Sequence, residues 1–444
     1  MTQTSRPLEL RDPGKVSLYV CGPTVYDAPH IGHGRFTLVY DVLRRFLTWQ
    51  GLDVNFVSNI TDIEDKIIDR ANEEGTDIYE VINYWEKVWW DTMDQLNVLR
   101  PDQTPHATEY VEQMVALIVD LIEKDAAYVT PDGVYLSVTK VENYGELSNQ
   151  TLDSLRTGAS EREVVGVDKQ HPQDFVLWKL SKPGEPSWPS PWGEGRPGWH
   201  TECVVMSLDI LGEGFDLHTG GLDLKFPHHE NELAQAKAAG KKFCNHWMHN
   251  GFVESGGEKM SKSLGNTYNL IDLLRDYGGS TYRLLILQTH YRSPIEVTKE
   301  TLDAAKQSLD RIKALLRRAD GIAEALVPSE FESAFVAAME DDMDTPKVIA
   351  QLFDSVRDAN AALDADDSQK AAEQVAAVKF VAKILGLELE TAEIPAEVAT
   401  LSERRTQARA DGDYERADQI RDELTALGWA VEDVAGGARP YKIT

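Results

Sequence analysis

The sequence predicts an α/β protein in which a parallel sheet with an insertion is followed by an α-helical bundle and a small C-terminal module. Three observations predict this architecture: strand-like apolar runs alternate with helical periodicity in the first half, Gly and Pro break up the middle, and Ala and Leu recur at helical spacing in the last third. The 444 residues exceed the roughly 250–300 at which single cores stop growing, so several domains are expected.

Two strand–helix units open the chain. Residues 16–21 form an apolar run that ends at Gly22-Pro23, and helical periodicity follows from about Gly32. A second apolar segment, DVNFVSNI, precedes TDIEDKIIDRANEEG, where Thr61 and Glu64 have the spacing of a helix-capping box. Two successive units of this kind predict a parallel sheet.

The sheet is predicted to be interrupted and then completed. From about Glu123 to Trp199 the chain consists of short runs broken by Gly and Pro, which is typical of an inserted, loop-rich subdomain. Strand-like segments resume at FDLH and WMHNGFV.

The last third is predicted to be helical. Helices are expected from about Glu300 and around 331–340, 346–363 and 367–386, followed by a helix pair containing YERADQIRDELTALG and a hairpin of WAVEDV and RPYKIT. The predicted divisions are 1–122 and 200–245 (the two halves of the sheet domain), 123–199 (insertion), 246–300 (linking region), 301–388 (bundle) and 389–444 (terminal module).

Composition excludes several classes of protein. A formal net charge of −29 argues against a protein that coats nucleic acid nonspecifically, because attraction to phosphate needs a basic surface. No segment approaches the ~18 consecutive apolar residues of a membrane span, and the N-terminus resembles no targeting segment, so a cytoplasmic protein without membrane contact is expected. Three cysteines do not predict a disulfide framework.

The first candidate site is His30-Ile31-Gly32-His33, at the predicted start of a helix. Free backbone N–H groups and the helix dipole favour phosphate there. Gly32 removes a side chain that would obstruct a nucleotide, and His30 and His33 would stabilise charge on a reacting phosphate. The alternative is two unrelated histidines in a turn.

The second candidate site is the segment KMSKS at 259–263, which follows Gly256-Gly257. A glycine-flanked segment bearing Lys259 and Lys262 would close over ATP and neutralise the departing pyrophosphate. The alternative is a solvated loop with ordinary surface lysines.

A third set of residues offers metal ligands. Cys21, Cys203, His228 and Glu232 supply two sulfurs, a nitrogen and a carboxylate, all of which zinc accepts. If the Ala-rich segment HHENELAQAKAAG is helical, the spacing of four places His228 and Glu232 on one face. The cysteines lack the CxxC spacing of common zinc sites, so buried structural cysteines are the alternative.

The motifs taken together resemble a known family. HIGH near the N-terminus with KMSKS far downstream is similar to the paired motifs of class I aminoacyl-tRNA synthetases. Longer segments resemble the cysteinyl-tRNA synthetase family over most of residues 18–266: CGPTVYDAPHIGHGR, NITDIEDKIIDRA, GWHTEC, GGLDLKFPHHENELAQ, WMHNGF and KMSKSLGN. The resemblance implies a class I Rossmann-like nucleotide-binding catalytic domain with an insertion, followed by the helical bundle and the terminal module.

The resemblance also implies an activity. The enzyme would use ATP, accompanied by Mg²⁺, to activate L-cysteine as an adenylate and pass it to the 3′ end of the tRNA for cysteine. His30, His33, Lys259 and Lys262 would be catalytic, and His30, Gly32, His33 and Lys262 would contact ATP. The family further implies a monomer.

By the same resemblance, Cys21, Cys203, His228 and Glu232 would hold one Zn²⁺ that takes the substrate thiol as a further ligand. Zinc prefers thiolate to hydroxyl, so the metal would reject serine without an editing domain. Four protein ligands usually define a closed structural site, and a catalytic role therefore requires a fifth ligand or displacement of one.

Other positions follow from the resemblance alone. Thr61 and Trp199 would frame the amino acid, while His218, Gly221 and Asp223 would lie near the adenosine of ATP. Their alternative roles are helix capping for Thr61, and core packing and turn formation for the rest.

Three neighbouring residues have smaller expected roles. Trp247 lies in WMHNGF shortly before the KMSKS segment, and His229 would orient a ligand from outside the metal's own shell. Cys244 matches no ligand position, so we expect a small buried apolar residue there.

The C-terminal third resembles the RNA-binding part of the family. AMEDDMDTPKVIAQLFDSVRDANAAL is similar to the bundle and YERADQIRDELTALG to the anticodon-recognition module. This implies phosphate contacts for basic residues of the first bundle helix, with ordinary surface ion pairing as the alternative; these residues are Arg311, Lys313, Arg317 and Arg318.

Two departures from the family pattern stand out. The chain ends in GGARPYKIT where a segment of the form GTTWR is expected, and Arg439 and Tyr441 would supply equivalent charge and stacking. The first motif continues as HGR, where HAR is commoner.

Two other functions are alternatives for a chain with these motifs. A related ligase joins cysteine to an amino sugar and keeps the zinc site, but it needs no RNA-binding domains, so the bundle and terminal module disfavour it. A catalytically inactive RNA-binding paralogue would be expected to lose active-site residues, whereas HIGH, KMSKS and the zinc set are complete.

Overall fold

A four-stranded parallel sheet organises the first half of the chain. The computed structural model describes residues 4–152, 168–255, 258–259, 269–389, 394–434 and 437–442. The sheet has the order β2-β1-β7-β8 and contains β1 (Lys15–Val20), β2 (Asp53–Ser58), β7 (Phe215–Gly221) and β8 (Cys244–Asn250). Five of the six β1 residues are buried, as expected for a parallel strand covered on both faces. The predicted α/β class is confirmed.

Helices follow the strands as the apolar periodicity predicts. Those of the sheet domain are α1 (Ile31–Trp49), α2 (Asp65–Glu74), α3 (Ile78–Gln95), α4 (Val111–Glu123), α5 (Trp199–Leu211) and α6 (Glu230–Ala238).

The predicted capping role of Thr61 is wrong. Helix α2 begins later, at Asp65, and Glu64 is its N-cap because the Glu64 side chain accepts from the backbone N–H of Lys66. The Thr61 hydroxyl instead donates to Oε2 of Glu202 at 3.0 Å. A buried tertiary partner has replaced the local one.

An antiparallel sheet is inserted between α4 and α5. It consists of β3 (Ala127–Thr130), β4 (Gly133–Leu136), β5 (Phe175–Leu180) and β6 (Gly195–Pro197), in that order. Asp65 at the start of α2 pairs with Lys179 of β5 at 2.8 Å and with Arg196 of β6. These ion pairs attach the insertion close to the carboxyl end of β2.

A small sheet joins the catalytic half to the helical half. It contains β9 (Val253–Ser255), β10 (Glu258–Lys259) and β11 (Ile295–Glu296), and two helices, α7 (Leu270–Tyr277) and α8 (Gly279–Leu287), lie between β10 and β11 in sequence.

The remainder is helical up to a final hairpin. The bundle comprises α9 (Lys299–Arg318), α10 (Ser329–Glu340), α11 (Thr345–Asp364) and α12 (Ser368–Leu385), and the terminal module comprises α13 (Ala396–Ala410), α14 (Tyr414–Ala426), β12 (Trp429–Val434) and β13 (Gly437–Lys442). These elements confirm the predicted helices and hairpin. No helix in the described ranges is long and apolar enough to cross a membrane.

The bundle packs directly on the back of α1. Phe46 and Trp49 of α1 meet Phe335 of α10 edge to face, with ring centroids 6.1 and 5.7 Å apart, and Trp49 meets Phe380 of α12 at 5.3 Å. The helix that starts with HIGH is therefore held between the sheet and the bundle.

Candidate active site

The candidate site lies at the carboxyl ends of β1 and β7, which are neighbours in the sheet. The backbone N–H of Cys21 donates to the carbonyl of Thr219 at 3.2 Å, which continues the strand pairing into the site. Gly22 follows, and a Cβ at that position would lie 1.7 Å from the carbonyl oxygen of Asn59, so only glycine permits this approach. Crevices outside the carboxyl ends of parallel strands are the usual ligand positions in such sheets.

The HIGH residues form the N-terminus of α1. His30 is the N-cap: its Nδ1 accepts from the backbone N–H of His33, and Nδ1 of His33 accepts from the backbone N–H of His30. The two rings stack with centroids 3.7 Å apart. A Cβ at position 32 would come within 3.0 Å of the His30 ring, so Gly32 provides space for that ring.

The structure brings the C-terminal flank of the KMSKS segment to the HIGH residues. Asn269 forms an isolated bridge with His30, and the backbone N–H of Leu270 donates to the carbonyl of Pro29 at 3.1 Å. On the other flank, the backbone of Lys259 lies in β10. Lys262 falls outside the described residues. The residues that follow the KMSKS segment therefore lie against the HIGH residues.

The predicted metal ligands converge and are buried. Ligand atoms of Cys21, Cys203, His228 and Glu232 all lie within 4.8 Å of one another. Cys21 Sγ lies 3.8 Å from Cys203 Sγ and 3.7 Å from Glu232 Oε1, and His228 Nε2 lies 2.8 Å from Glu232 Oε1. His228 precedes α6 in a distorted turn, and the spacing of four still places it beside Glu232.

A second donor set shares two of these residues. Cys21, His218, His229 and Glu232 also lie within 4.8 Å of one another. His229, however, has both ring nitrogens engaged: Nε2 lies 3.3 Å from Cys21 Sγ and Nδ1 lies 2.8 Å from His249 Nε2.

His228 has the arrangement of a metal ligand. Its Nδ1 lies 2.9 Å from Nδ1 of His200, whereas its buried Nε2 has no hydrogen-bond partner among the described residues, since Glu232 Oε1 is close but poorly aligned. Oε2 of Glu232 is buried without such a bond as well. Two buried polar atoms without hydrogen bonds beside two cysteines fit a bound cation, because buried polar atoms are otherwise almost always paired.

Three side chains of the cluster stay charged although they are buried. A hydrogen bond from Cys21 lowers the pKa of Cys203 to about 6, against the opposing effect of burial. Burial opposes charge on His228 too, yet Glu232 and Cys203 raise its pKa to about 10. The pKa of Glu232 stays well below its usual range despite burial, because His218 and His228 face it. The cluster therefore buries negative charge on Cys203 and Glu232 beside a protonated His228, whose proton a divalent cation would replace.

Trp199 and Thr61 border the metal donors. The Trp199 indole stacks on the His228 ring with centroids 4.1 Å apart. Thr61 is buried beside Asn59 and Glu202, its Oγ1 lying 3.3 Å from Nδ2 of Asn59. Trp199 on α5 and Thr61 after β2, which were both predicted to contact the amino acid, thus lie near the predicted metal ligands.

Of the three residues expected near adenosine, one lies among the metal donors and two lie at the end of β7. His218 is buried with Nε2 2.7 Å from Glu232 Oε2 and 3.6 Å from Cys21 Sγ, so it contacts the metal donors. Gly221 ends β7 and Asp223 follows it at the surface. Roles in nucleotide binding stay predictions for all three. Cys244 is a free, half-buried cysteine outside both donor sets.

Sequence reasoning missed three polar residues of this site: His200, Glu202 and His249. Each has a contact partner from a distant part of the chain, namely His228, Thr61 and His229. His200 and Glu202 adjoin Trp199 and Cys203, and that adjacency was the only available signal.

Three of the four basic residues of α9 that were expected to contact RNA have protein partners. Arg311 lies over the Phe353 ring and donates to Ser308, Arg318 pairs with Asp364, and Arg317 turns toward the terminal hairpin, where Tyr441 lies 4.2 Å from its guanidinium carbon. Ion pairing, the alternative reading of these charges, accounts for Arg317 and Arg318.

Fold and site together define a class I aminoacyl-tRNA synthetase. Residues 7–307 match a family model described as the class I (C) tRNA synthetase catalytic domain, residues 334–390 match a DALR domain, and residues 391–439 match a cysteinyl-tRNA ligase anticodon-binding domain. A solved Mycobacterium tuberculosis methionyl-tRNA synthetase has the same fold: TM-score 0.63 at 15% identity, covering 88% of this chain and 94% of that one.

Curated relatives specify the family within that class. A cysteine–tRNA ligase of Nitratidesulfovibrio vulgaris is 46% identical, covering 99% of this chain and 98% of the relative. Another, of Alkalilimnicola ehrlichii, is 44% identical over 98% and 96%, and a third, of Halorhodospira halophila, is 43% identical over 99% and 97%. The chain belongs to the cysteine–tRNA ligase family.

Proposed function

We propose that this chain activates L-cysteine with ATP and transfers it to the 3′-terminal adenosine of the tRNA for cysteine. The observation that carries the proposal is the buried set of two cysteines, a histidine and a glutamate at the carboxyl ends of β1 and β7, adjoining the HIGH helix, in a chain that matches cysteine–tRNA ligases along its whole length. In the first step the cysteine carboxylate attacks the α-phosphorus of ATP and pyrophosphate leaves. In the second, a ribose hydroxyl attacks the carbonyl carbon and AMP leaves.

Cys21, Cys203, His228 and Glu232 would hold the metal. A zinc ion bound there would supply a Lewis acid that prefers a thiolate ligand to a hydroxyl. The chain's own residues restrict what else reaches this point: Trp199 covers the His228 ring, and His200 holds the opposite nitrogen of that ring.

Phosphate binding is assigned to the start of α1 and the KMSKS segment. Backbone N–H groups at a helix N-terminus attract phosphate, and His30, His33, Lys259 and Lys262 would supply charge to the α-phosphate and the departing pyrophosphate. Mg²⁺ would accompany ATP. Gly32, His218, Gly221, Asp223 and Thr61 complete the proposed pocket.

The matched RNA-binding domains support the ligase over its alternatives. Residues 334–390 and 391–439 match the DALR and anticodon-binding domains, and an amino-sugar ligase has no need of either. We propose that these domains bind the tRNA and that the enzyme works as a monomer in the cytoplasm, within the domain limits predicted from the sequence.

Charging of purified tRNA with labelled cysteine or serine tests the proposal directly. Cysteine alone should be charged, and the Lys262→Ala variant should lose that activity. The matched control is Lys241→Ala, at an exposed position between α6 and β8, which should charge normally. Cysteine-dependent ATP consumption without charged tRNA would instead indicate the amino-sugar ligase. Absence of both activities in the zinc-replete protein would indicate an inactive paralogue.

A further inference from the structure

A chain of contacts connects the turn between two bundle helices to the helix that carries HIGH. It begins at Asp342, in the turn between α10 and α11. Arg292 donates to both carboxylate oxygens of Asp342, at 2.5 and 2.8 Å, and the Tyr291 hydroxyl donates to the same carboxylate at 2.7 Å. His290 Nε2 lies 3.0 Å from the Asp342 carbonyl oxygen. One residue of the bundle therefore contacts three consecutive residues of the segment between α8 and β11.

That segment is in turn held by Arg35, on the second turn of α1. Arg35 is 1% exposed, and its guanidinium donates to the carbonyl oxygens of Tyr291 at 3.2 Å and of Ser293. It also donates to the carbonyl of Phe252 at 2.6 Å. A buried guanidinium fixes three carbonyl groups because its planar fork presents several donors in a rigid geometry.

The segments whose carbonyl groups Arg35 binds also lead into the small sheet that contains Lys259. The backbone N–H of Ile295 donates to the carbonyl of Phe252 at 2.9 Å, and β9 pairs with β11 on one side and with β10, which contains Lys259, on the other. Gly251 donates its N–H to the Tyr291 carbonyl at 2.7 Å, and a Cβ at that position would lie 2.5 Å from the Ser293 carbonyl oxygen. The fit leaves little freedom between the segments.

We propose that Asp342 is a positioning residue for cysteine activation: through Tyr291 and Arg292 it fixes the segment that sets the HIGH helix and the strand of Lys259 relative to each other. The inference rests on the proposed function, because it assigns ATP chemistry to those two elements. It places a determinant of the activation step in the bundle, in a turn where Asp342 contacts residues 290–292 rather than the described residues of the proposed active site.

The backbone at Asp342 makes a clean substitution available. Asp342 has a φ of 57°, in the left-handed region that asparagine tolerates nearly as well as aspartate. Asp342→Asn therefore removes the charge without straining the turn. Asp354→Asn is the matched control, since Asp354 is exposed on α11 and pairs only with the nearby Arg357 at 2.7 Å among the described residues.

The test is cysteine-dependent exchange of pyrophosphate into ATP, expressed per active site from the burst of adenylate. Asp342→Asn and Arg292→Gln should each lower kcat/KM for ATP about tenfold, less than the roughly 100-fold that a 1 Å misplacement can cost. KM for cysteine should stay within about twofold, because the proposed thiol site is built on other elements, and the double variant should be no worse than either single one.

The outcomes separate this inference from the proposed function. ATP kinetics of Asp342→Asn equal to those of Asp354→Asn would overturn the inference while leaving the proposed function intact. An equal change in the KM for cysteine would also overturn it, because a general loss of structure would then explain the effect. Absence of exchange in the unaltered protein would count against the proposed function itself.

Discussion

At the scale of single residues, the choice between the two donor sets determines the metal site. Both sets contain Cys21 and Glu232. The first set adds Cys203 and His228, and the second set adds His218 and His229. The Nε2 of His228, buried beside Glu232 without a hydrogen bond among the described residues, favours the first set.

Metal content checks this assignment. Cys203→Ser should lower zinc from one ion per chain to near zero, because a serine hydroxyl is a poor zinc ligand and the remaining donors cannot close the site. Cys244→Ser, which alters a free cysteine outside both sets, should keep its zinc. Elemental analysis of the purified proteins gives the readout. Full zinc in Cys203→Ser, with loss in His218→Gln, would assign the site to the second set.

The sequence predicted the residues of the buried donor cluster but not their surroundings. Cys21, Cys203, His228 and Glu232 were identified by residue chemistry combined with the family resemblance. His200 and His249 could not be, since the contacts of their rings with His228 and His229 form only when separate elements pack together. The capping prediction for Thr61 failed for a related reason: Glu202, 141 residues away, is a buried partner that no local pattern reveals.

At the scale of elements, Gly34 explains the unusual HGR sequence. Gly34 lies in α1, where alanine would ordinarily be the better helix former by about 1 kcal/mol. A Cβ there would lie 2.8 Å from Cε1 of Tyr282 and 3.0 Å from Cδ2 of Leu270. Tyr282 is buried on α8, and its hydroxyl donates to the Ile31 carbonyl at 2.6 Å. Glycine therefore makes room for a tyrosine that ties α8 to the first turn of α1.

Gly34→Ala should consequently destabilise the protein. Crowding a packed core costs about 1–3 kcal/mol, which exceeds the gain in helix propensity, so the urea midpoint of the catalytic half should fall. Combining it with Tyr282→Leu should cost less than the sum of the two single changes, because the leucine removes the ring that the new methyl group meets. A raised midpoint for Gly34→Ala alone would mean that helix propensity prevails.

Hydrophobic periodicity predicted many of the elements, although the insertion was expected to be loop-rich and contains the antiparallel sheet β3–β6. The parallel strands, the helices of the bundle and the closing hairpin were all predicted from apolar spacing, because each buries one face or both against a neighbour. The links between elements were not predictable in this way. Arg35 reads as one more charged helix residue, and its burial depends on carbonyl groups more than two hundred residues away.

At the scale of the whole molecule, the divergent C-terminus attaches the terminal module to the bundle. Arg317 of α9 donates to Glu432 at 3.3 Å and lies against the Tyr441 ring. Arg439 donates to the Arg317 carbonyl and lies 3.3 Å from Asp320. The residues that the sequence suggested for RNA contact thus meet each other across a domain boundary, which no local pattern could indicate.

This attachment should affect tRNA binding without affecting activation. Arg317→Ala or Tyr441→Ala removes a partly buried ion pair or cation–π contact worth about 1–2 kcal/mol, so the module should lose its fixed position. We expect KM for tRNA to rise about 3- to 10-fold. Pyrophosphate exchange should stay unchanged, because the proposed active site lies on the parallel sheet and not at the contact between α9 and the terminal hairpin. Arg421→Ala is the control, since Arg421 is exposed and pairs within its own helix. An unchanged KM for tRNA in both variants would show that the module binds RNA equally well when loosened, and the C-terminal segment would then serve stability alone.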